Sequence, residues 1–179
     1  MKSRFKLVVL SALSALTAFS TVLVSSCKED KCKSIVCAYG GVCSSGQCIC
    51  PSGYEGTQCE TITRKRYLGV WNVTEDGTYS SAAQYAISLE AGANIAEVRI
   101  KNFRNSFVSD VQAFVKGDTI TIPNQTLAGK TIRGFGYIQQ DKYYGQNGKI
   151  TMRYVVKDNT SGVVDDYGVD NGDPSLWNK

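Results

Sequence analysis

Six of the chain's seven cysteines, Cys32, Cys37, Cys43, Cys48, Cys50 and Cys59, fall between residues 32 and 59, and none follows. A segment that short cannot bury enough apolar area to stay folded by itself, so cross-links must hold it. Six half-cystines allow fifteen pairings, and spacing alone does not choose among them. A metal-binding cluster is the competing use of such a group. Which use applies depends on whether the chain reaches an oxidising compartment.

The N-terminus bears on that question. Lys2, Arg4 and Lys6 make a basic start, Leu7 to Val24 is apolar with Ser, Thr and Ala interspersed, and Val24-Ser25-Ser26-Cys27 ends the run. This is the layout of an export signal over residues 1–26, removed from the mature chain. An uncleaved span is the alternative, because the run is only just long enough to cross a bilayer. The closing tetrapeptide resembles the bacterial lipobox, in which an aliphatic and two small residues precede a Cys that takes a diacylglycerol. The resemblance implies cleavage before Cys27, lipidation of Cys27 with palmitate-type chains, and a lipidated tether over residues 27–31. Two or more acyl chains anchor stably where one is marginal. Lys28-Glu29-Asp30 resembles the Lys-then-acidic signal that sends Bacteroidetes lipoproteins outward. The expected location is therefore the bacterial outer membrane, lipid-anchored and surface-exposed, with a periplasmic orientation as the alternative. With Cys27 lipidated, the other six cysteines read as disulfides rather than as metal ligands.

Export also changes the charge argument. Loss of Lys2, Arg4 and Lys6 takes the net charge from +4 to +1. The mature chain is then too nearly neutral to suggest a nucleic-acid partner. The chain has no histidine, which removes histidine-based triads, most zinc sites and the usual general base.

The run Cys32-x4-Cys37-x5-Cys43-x4-Cys48-x1-Cys50-x8-Cys59, with Gly40-Gly41 and Gly53-Tyr54-x-Gly56, resembles the EGF-like domain. That likeness implies bridges Cys32–Cys43, Cys37–Cys48 and Cys50–Cys59 within residues 32–60. By loop-closure entropy each contributes about 3 kcal/mol. Calcium-binding members of that family resemble one another in carboxylates that Ser44-Ser45-Gly46-Gln47 lacks, so no metal is expected. The module would act as a disulfide-stapled spacer.

Residues 61–66 read as a linker, and residues 67–179 as a second domain with period-two patterning. Tyr85-Ile87-Leu89, Val98-Ile100, Val111-Ala113-Val115, Ile120-Ile122, Ile132-Gly134-Gly136-Ile138 and Ile150-Met152-Tyr154-Val156 alternate with polar residues. Turn signals separate them at Asp76-Gly77, Ala91-Gly92, Gly117-Asp118, Ala128-Gly129 and Asn147-Gly148. The fold class is all-β: an antiparallel meander of about eight strands closed into a barrel, with a β-sandwich as the alternative. Gly69-Val70-Trp71 resembles the Gly-x-Trp motif that opens lipocalin-like barrels. In that superfamily a basic residue on a late strand covers the Trp, which implies Arg153, with Arg133 as the other candidate. Gly134 and Gly136 mark a bend or a close approach. The acidic stretch 165–173 reads as a solvated, partly disordered turn. The β domain has no cysteine, so reduction is expected to leave its melting nearly unchanged.

Nothing singles out Glu90, Glu97, Asp110 or Lys149 for catalysis, so no enzyme, catalytic residue or cofactor is expected. Large branched residues at the inward positions should fill a small barrel. The expected function is a non-catalytic binding module, and a carrier of a small apolar ligand is the alternative. Phe135, Tyr137, Tyr143 and Tyr144 are the candidate contacts to an unknown protein or glycan. A monomer is expected. Asp118-Thr119-Ile120 also resembles a Bacteroidetes O-glycosylation acceptor.

Overall fold

The computed structural model describes residues 30–179. The expected export signal, the expected lipidation site Cys27 and the residues up to 29 lie outside the described residues. The N-terminal region has little regular structure: strands β1 (Val42–Ser44) and β2 (Gln47–Ile49) form one hairpin, β3 (Tyr54–Glu55) and β4 (Thr61–Ile62) another. Ser45 and Gly46 turn the first hairpin with φ of 53° and 86°, the backbone that a two-residue primed turn requires. Cys32 is bonded to Cys43, Cys37 to Cys48 and Cys50 to Cys59. Beyond the cross-links, the packing is limited to contacts such as Tyr39 stacked on Tyr54 at 4.4 Å.

Residues 61–66, expected as a linker, are structured instead. Thr61 and Ile62 pair with Glu55 and Tyr54, and Thr63–Arg66 form a 3₁₀ turn. The Thr63 amide donates to Gly53 O at 3.0 Å. The chain therefore passes from the stapled region into the barrel without a slack segment.

The barrel is a closed antiparallel sheet of eight strands. They are β5 (Gly69–Glu75), β6 (Ala83–Ala91), β7 (Glu97–Lys101), β8 (Val111–Lys116), β9 (Thr119–Leu127), β10 (Lys130–Asp141), β11 (Gly145–Asp158) and β13 (Ser175–Asn178). Each neighbours the next in sequence. Closure comes at β13, which pairs with β11 through Ile150↔Trp177 and with β5 through Val73↔Trp177. A further strand, β12 (Val164–Tyr167), continues β13 along the upper part of the same β11 edge, through Tyr154↔Tyr167. The 165–173 stretch is thus ordered, which corrects its reading as a solvated, partly disordered turn. Asp166 holds the loop after β12, accepting the amides of Val169, Asp170 and Asn171 at 2.8–3.0 Å.

Alternation places the apolar set inside, where Trp71, Trp177, Tyr154, Ile87, Ile120 and Ile132 are fully buried. Gly134 and Gly136 point inward opposite Tyr154 and Met152. A Cβ on either would lie 2.4 Å from Tyr154 Cβ or 2.6 Å from Met152 Sδ. The two glycines therefore leave room for large neighbours on β11. Pro123, which has no amide hydrogen, interrupts the β8–β9 ladder. The Gln125 side chain replaces the missing rungs, accepting from Gln112 N at 3.1 Å and donating to Gln112 O at 2.7 Å.

The turns at Gly117-Asp118 and Ala128-Gly129 fall where the sequence signals them. Asn147-Gly148 does not form a turn. Asn147 has φ of 57° within β11, and the reversal lies at 142–144, where Asp141 Oδ1 accepts the amides of Tyr143 and Tyr144. A side chain that binds two following amides stabilises a turn as well as an Asn-Gly pair does.

Trp71 lies at the barrel end nearer the stapled region, its Nε1 donating to Tyr67 O at 2.7 Å. The cation over it is Lys179, with Nζ 4.7 Å from the ring centroid, and not Arg153 or Arg133. Arg153 stands between inward Met152 and Tyr154, so the strand period turns it outward, where it donates to Gly168 O at 2.7 Å. Arg133 is exposed for the same reason.

Candidate functional site

The two barrel ends differ chemically. At the near end, Arg66 pairs with Glu55 of the stapled region at 3.0 Å and with Asp118 at 2.6 Å. Arg64 donates to Gly92 O and Asn94 O, Tyr67 OH donates to Gly117 O at 2.8 Å, and Lys179 Nζ donates to Arg66 O at 2.8 Å. This end is docked onto the stapled region.

The far end is formed by loops 76–82, 102–110, 128–129 and 159–163. Phe103 and Phe107 of the second loop are buried across it, and Phe103 packs on Tyr154 at 4.9 Å and Phe107 at 5.8 Å. Above this apolar plug lies a polar layer. Glu75 takes the inward position after Trp71 and Val73 and is buried. Its carboxylate accepts from Tyr85 OH, Tyr154 OH and Ser175 Oγ, each at 2.7 Å. Trp177 Nε1 donates to Ser175 Oγ at 2.9 Å, so the network reaches both the core and the closing strand. Burial raises the Tyr85 and Tyr154 phenols above their ordinary range, and the neighbouring Glu75 charge adds to the effect.

Arg104 is the cation of this layer. Its Nη2 donates to Asp165 Oδ2 at 2.6 Å, and the guanidinium lies 5.1 Å from the Tyr167 ring centroid. Burial works against its charge, but the surrounding phenols and the Asp165 and Glu75 carboxylates outweigh that and raise its pKa. Burial would also raise the Asp165 carboxyl. The Tyr79 amide, together with Ser80 and Tyr167, overcomes this and holds the carboxyl below its usual range. Tyr167 is pushed up to about 12 by burial. The backbone turns left-handed here at Asn102, Arg104 and Asn105, with φ of 59°, 53° and 48°; asparagine adopts that region readily, so the strain falls on Arg104. A left-handed residue other than glycine or asparagine costs about 1 kcal/mol or more, and such residues concentrate at functional sites.

Two open clefts flank Arg104. One, of about 250 Å³, is lined by Tyr79, Ser80, Lys130, Asp158, Ser161 and Asp165, among others. The second, of about 300 Å³, includes Glu75, Ser81, Gln84, Tyr85, Asn105 and Ser106. Both share Ser80 and Arg104. Tyr79 and Val108 stand out from the rim loops, 74% and 99% exposed.

The four aromatic candidates from the sequence do not converge. Phe135 and Tyr137 form an edge-to-face pair at 6.0 Å on the outer barrel wall. Tyr143 and Tyr144 lie in the β10–β11 turn at the near end, both exposed. Thr119 opens β9, also at the near end. Glu90 pairs with Lys101 at 2.9 Å, Lys149 with Asp141 at 3.9 Å, and Glu97 with Arg99 at 2.8 Å. Glu75, Arg104 and Asp165 were not singled out in the sequence. The inward register of Glu75 in Trp71-x-Val73-x-Glu75 is the signal that could have found the first. A scan against models of known protein families finds no match for the chain.

Proposed function

We propose that the protein is a lipid-anchored, non-catalytic binding module of the bacterial outer surface, in which the stapled region is a stand and the far rim a recognition face. The observation that carries this reading is the asymmetry of the barrel. Its near end is docked onto the stapled region, with one cleft of about 260 Å³ left at that joint. Its far end is free of that region and carries two clefts that share the ion-paired Arg104, with Tyr79 and Val108 exposed beside them. With the tether at the N-terminal side, the far rim is directed away from the membrane. The packed interior favours this reading over an apolar-ligand carrier, because Trp71, Trp177, Tyr154 and Phe103 are buried together with the branched residues of the core.

The test combines anchoring with orientation. Cys27→Ser should move the protein from the membrane to the soluble fraction and abolish fatty-acid labelling. Val108→Cys, at the exposed rim, should react with a membrane-impermeant maleimide on intact cells. Continued acylation of the Cys27→Ser chain would refute the anchor. Labelling of the Val108→Cys chain only after cell lysis would refute surface display.

A further inference from the structure

We propose that the double cleft at the far rim binds a neutral carbohydrate of one or two rings, with Arg104 between its two halves and Tyr79 as the stacking platform. This rests on the far rim being the recognition face and names the ligand class for it.

Charge is the first argument. The clefts contain two cations, Arg104 and Lys130, and three carboxylates, Glu75, Asp158 and Asp165. The carboxylates are already engaged. Glu75 accepts three hydroxyls. Asp165 takes the Arg104 guanidinium and the Tyr79 amide, and Asp158 takes the amides of Thr160 and Ser161. An anionic ligand would meet a site with one excess negative charge, and a cationic ligand would have to approach beside Arg104. Either would disturb pairs that are costly to break where burial is high.

The second argument is the chemistry that remains available. Ser81, Gln84, Asn105 and Ser106 are exposed, uncharged and line the larger cleft. Hydroxyls and amides both donate and accept, as sugar hydroxyls do. A guanidinium has five N–H donors, and Asp165 fixes Arg104 in place without occupying all of them. Tyr79 offers an aromatic face in the smaller cleft, across Arg104 from these groups, and its backbone is fixed because Asp165 holds its amide. Size agrees. At about 300 Å³ the cleft is at the small end of ligand sites, which suits a mono- or disaccharide. The left-handed Arg104 backbone gives the arrangement a reason to persist, since such strain is retained where it positions groups for a ligand.

The test uses the full mature chain, lipid included, in a non-glycosidic detergent, with backbone amide NMR as the readout. The probes are the methyl glycosides of glucose, galactose, mannose and N-acetylglucosamine, their common disaccharides, and glucuronate and glucosamine as charged counterparts. At least one neutral sugar should shift the amides of 79–84 and 104–106 saturably, with a Kd of order millimolar or tighter. The charged counterparts should bind about fivefold more weakly or worse. Tyr79→Ala should weaken binding about fivefold at an unchanged melting temperature. Failure of every neutral sugar to shift the rim, or tighter binding of a charged one, would overturn the proposal. Sugar-induced shifts confined to Phe135 and Tyr137 would overturn the site while leaving a binding module. Cleavage of a bound sugar would instead overturn the non-catalytic reading.

Discussion

Glu75 is the residue on which the far half of the barrel depends. A carboxylate inside a barrel is tolerated when its lone pairs are filled, and here three hydroxyls converge on it from β6, β11 and β13. Glu75→Ala strands three buried or half-buried donors, each costing about 1–3 kcal/mol. The expected loss is about 3 kcal/mol or more, read as a lower urea midpoint at unchanged m, with Glu75→Gln intermediate. A midpoint of Glu75→Ala within error of wild type would show that the network is not structural. The same burial governs titration. Tyr67, Tyr85, Tyr154 and Tyr167 all have phenol pKa values raised by burial. A raised folded pKa means that stability is fully present below the unfolded value near 10 and is lost as pH rises above it. Tyrosinate absorbance from these four should therefore appear only with unfolding. Asp165 has the opposite sign. Its lowered pKa gives stability present above about pH 4 and lost on further acidification, so Asp165→Asn should flatten the acid limb of a stability–pH profile.

Among the elements, β9 and β13 show what a strand needs when its ladder is incomplete. Pro123 removes a donor from β9, and Gln125 supplies both missing partners for Gln112. Gln125→Ala should lower stability by about 2 kcal/mol, since two backbone groups lose their partners; Gln125→Glu, which keeps only the acceptor, should fall between. Equal urea midpoints for all three chains would contradict this. Strand β13 is four residues long yet closes the barrel, and its Trp177 is buried between the registers of Ile150 and Val73. The long strands were legible in the sequence because four to seven alternating residues carry the period-two signal. Strands β12 and β13 were not. Asp165 and Asp166 are inward or anchored acids, and in the sequence they are indistinguishable from a solvated run until their amide and guanidinium partners are known. The Trp71 motif was legible as a plugged barrel end, but its cation was misassigned. A residue's facing follows its strand phase, and Arg153 is out of phase with the core, while the terminal Lys179 belongs to no periodic run.

At the scale of the whole molecule, the stapled region and the barrel meet through a structured joint, whereas the cysteine distribution suggested two independent units. The three basic residues before Tyr67 looked like a polar spacer because charge gives no sign of its partners. Two of them bind across the joint: Arg66 links Glu55 to Asp118, and Arg64 takes carbonyls of the β6–β7 loop. Gly53 is close enough to Ile95 of that loop that a Cβ would lie 2.5 Å from Ile95 Cγ2, so the backbone itself is in contact. Reduction should therefore reach the barrel although the barrel has no cysteine. Losing the three bridges removes about 3 kcal/mol apiece from the stapled region, which unfolds and takes Glu55 and the Gly53 contact with it. The partly exposed Arg66–Glu55 pair contributes at most about 1 kcal/mol, and the Thr63 amide bond contributes a similar amount. The barrel, followed by near-ultraviolet circular dichroism of its two tryptophans, should then melt about 4–8 °C lower after reduction but still cooperatively. Glu55→Gln with the bridges intact should lower it by a smaller step of about 2 °C. An unchanged barrel transition after full reduction would mean that the joint transmits nothing and that the two parts are linked only by chain continuity.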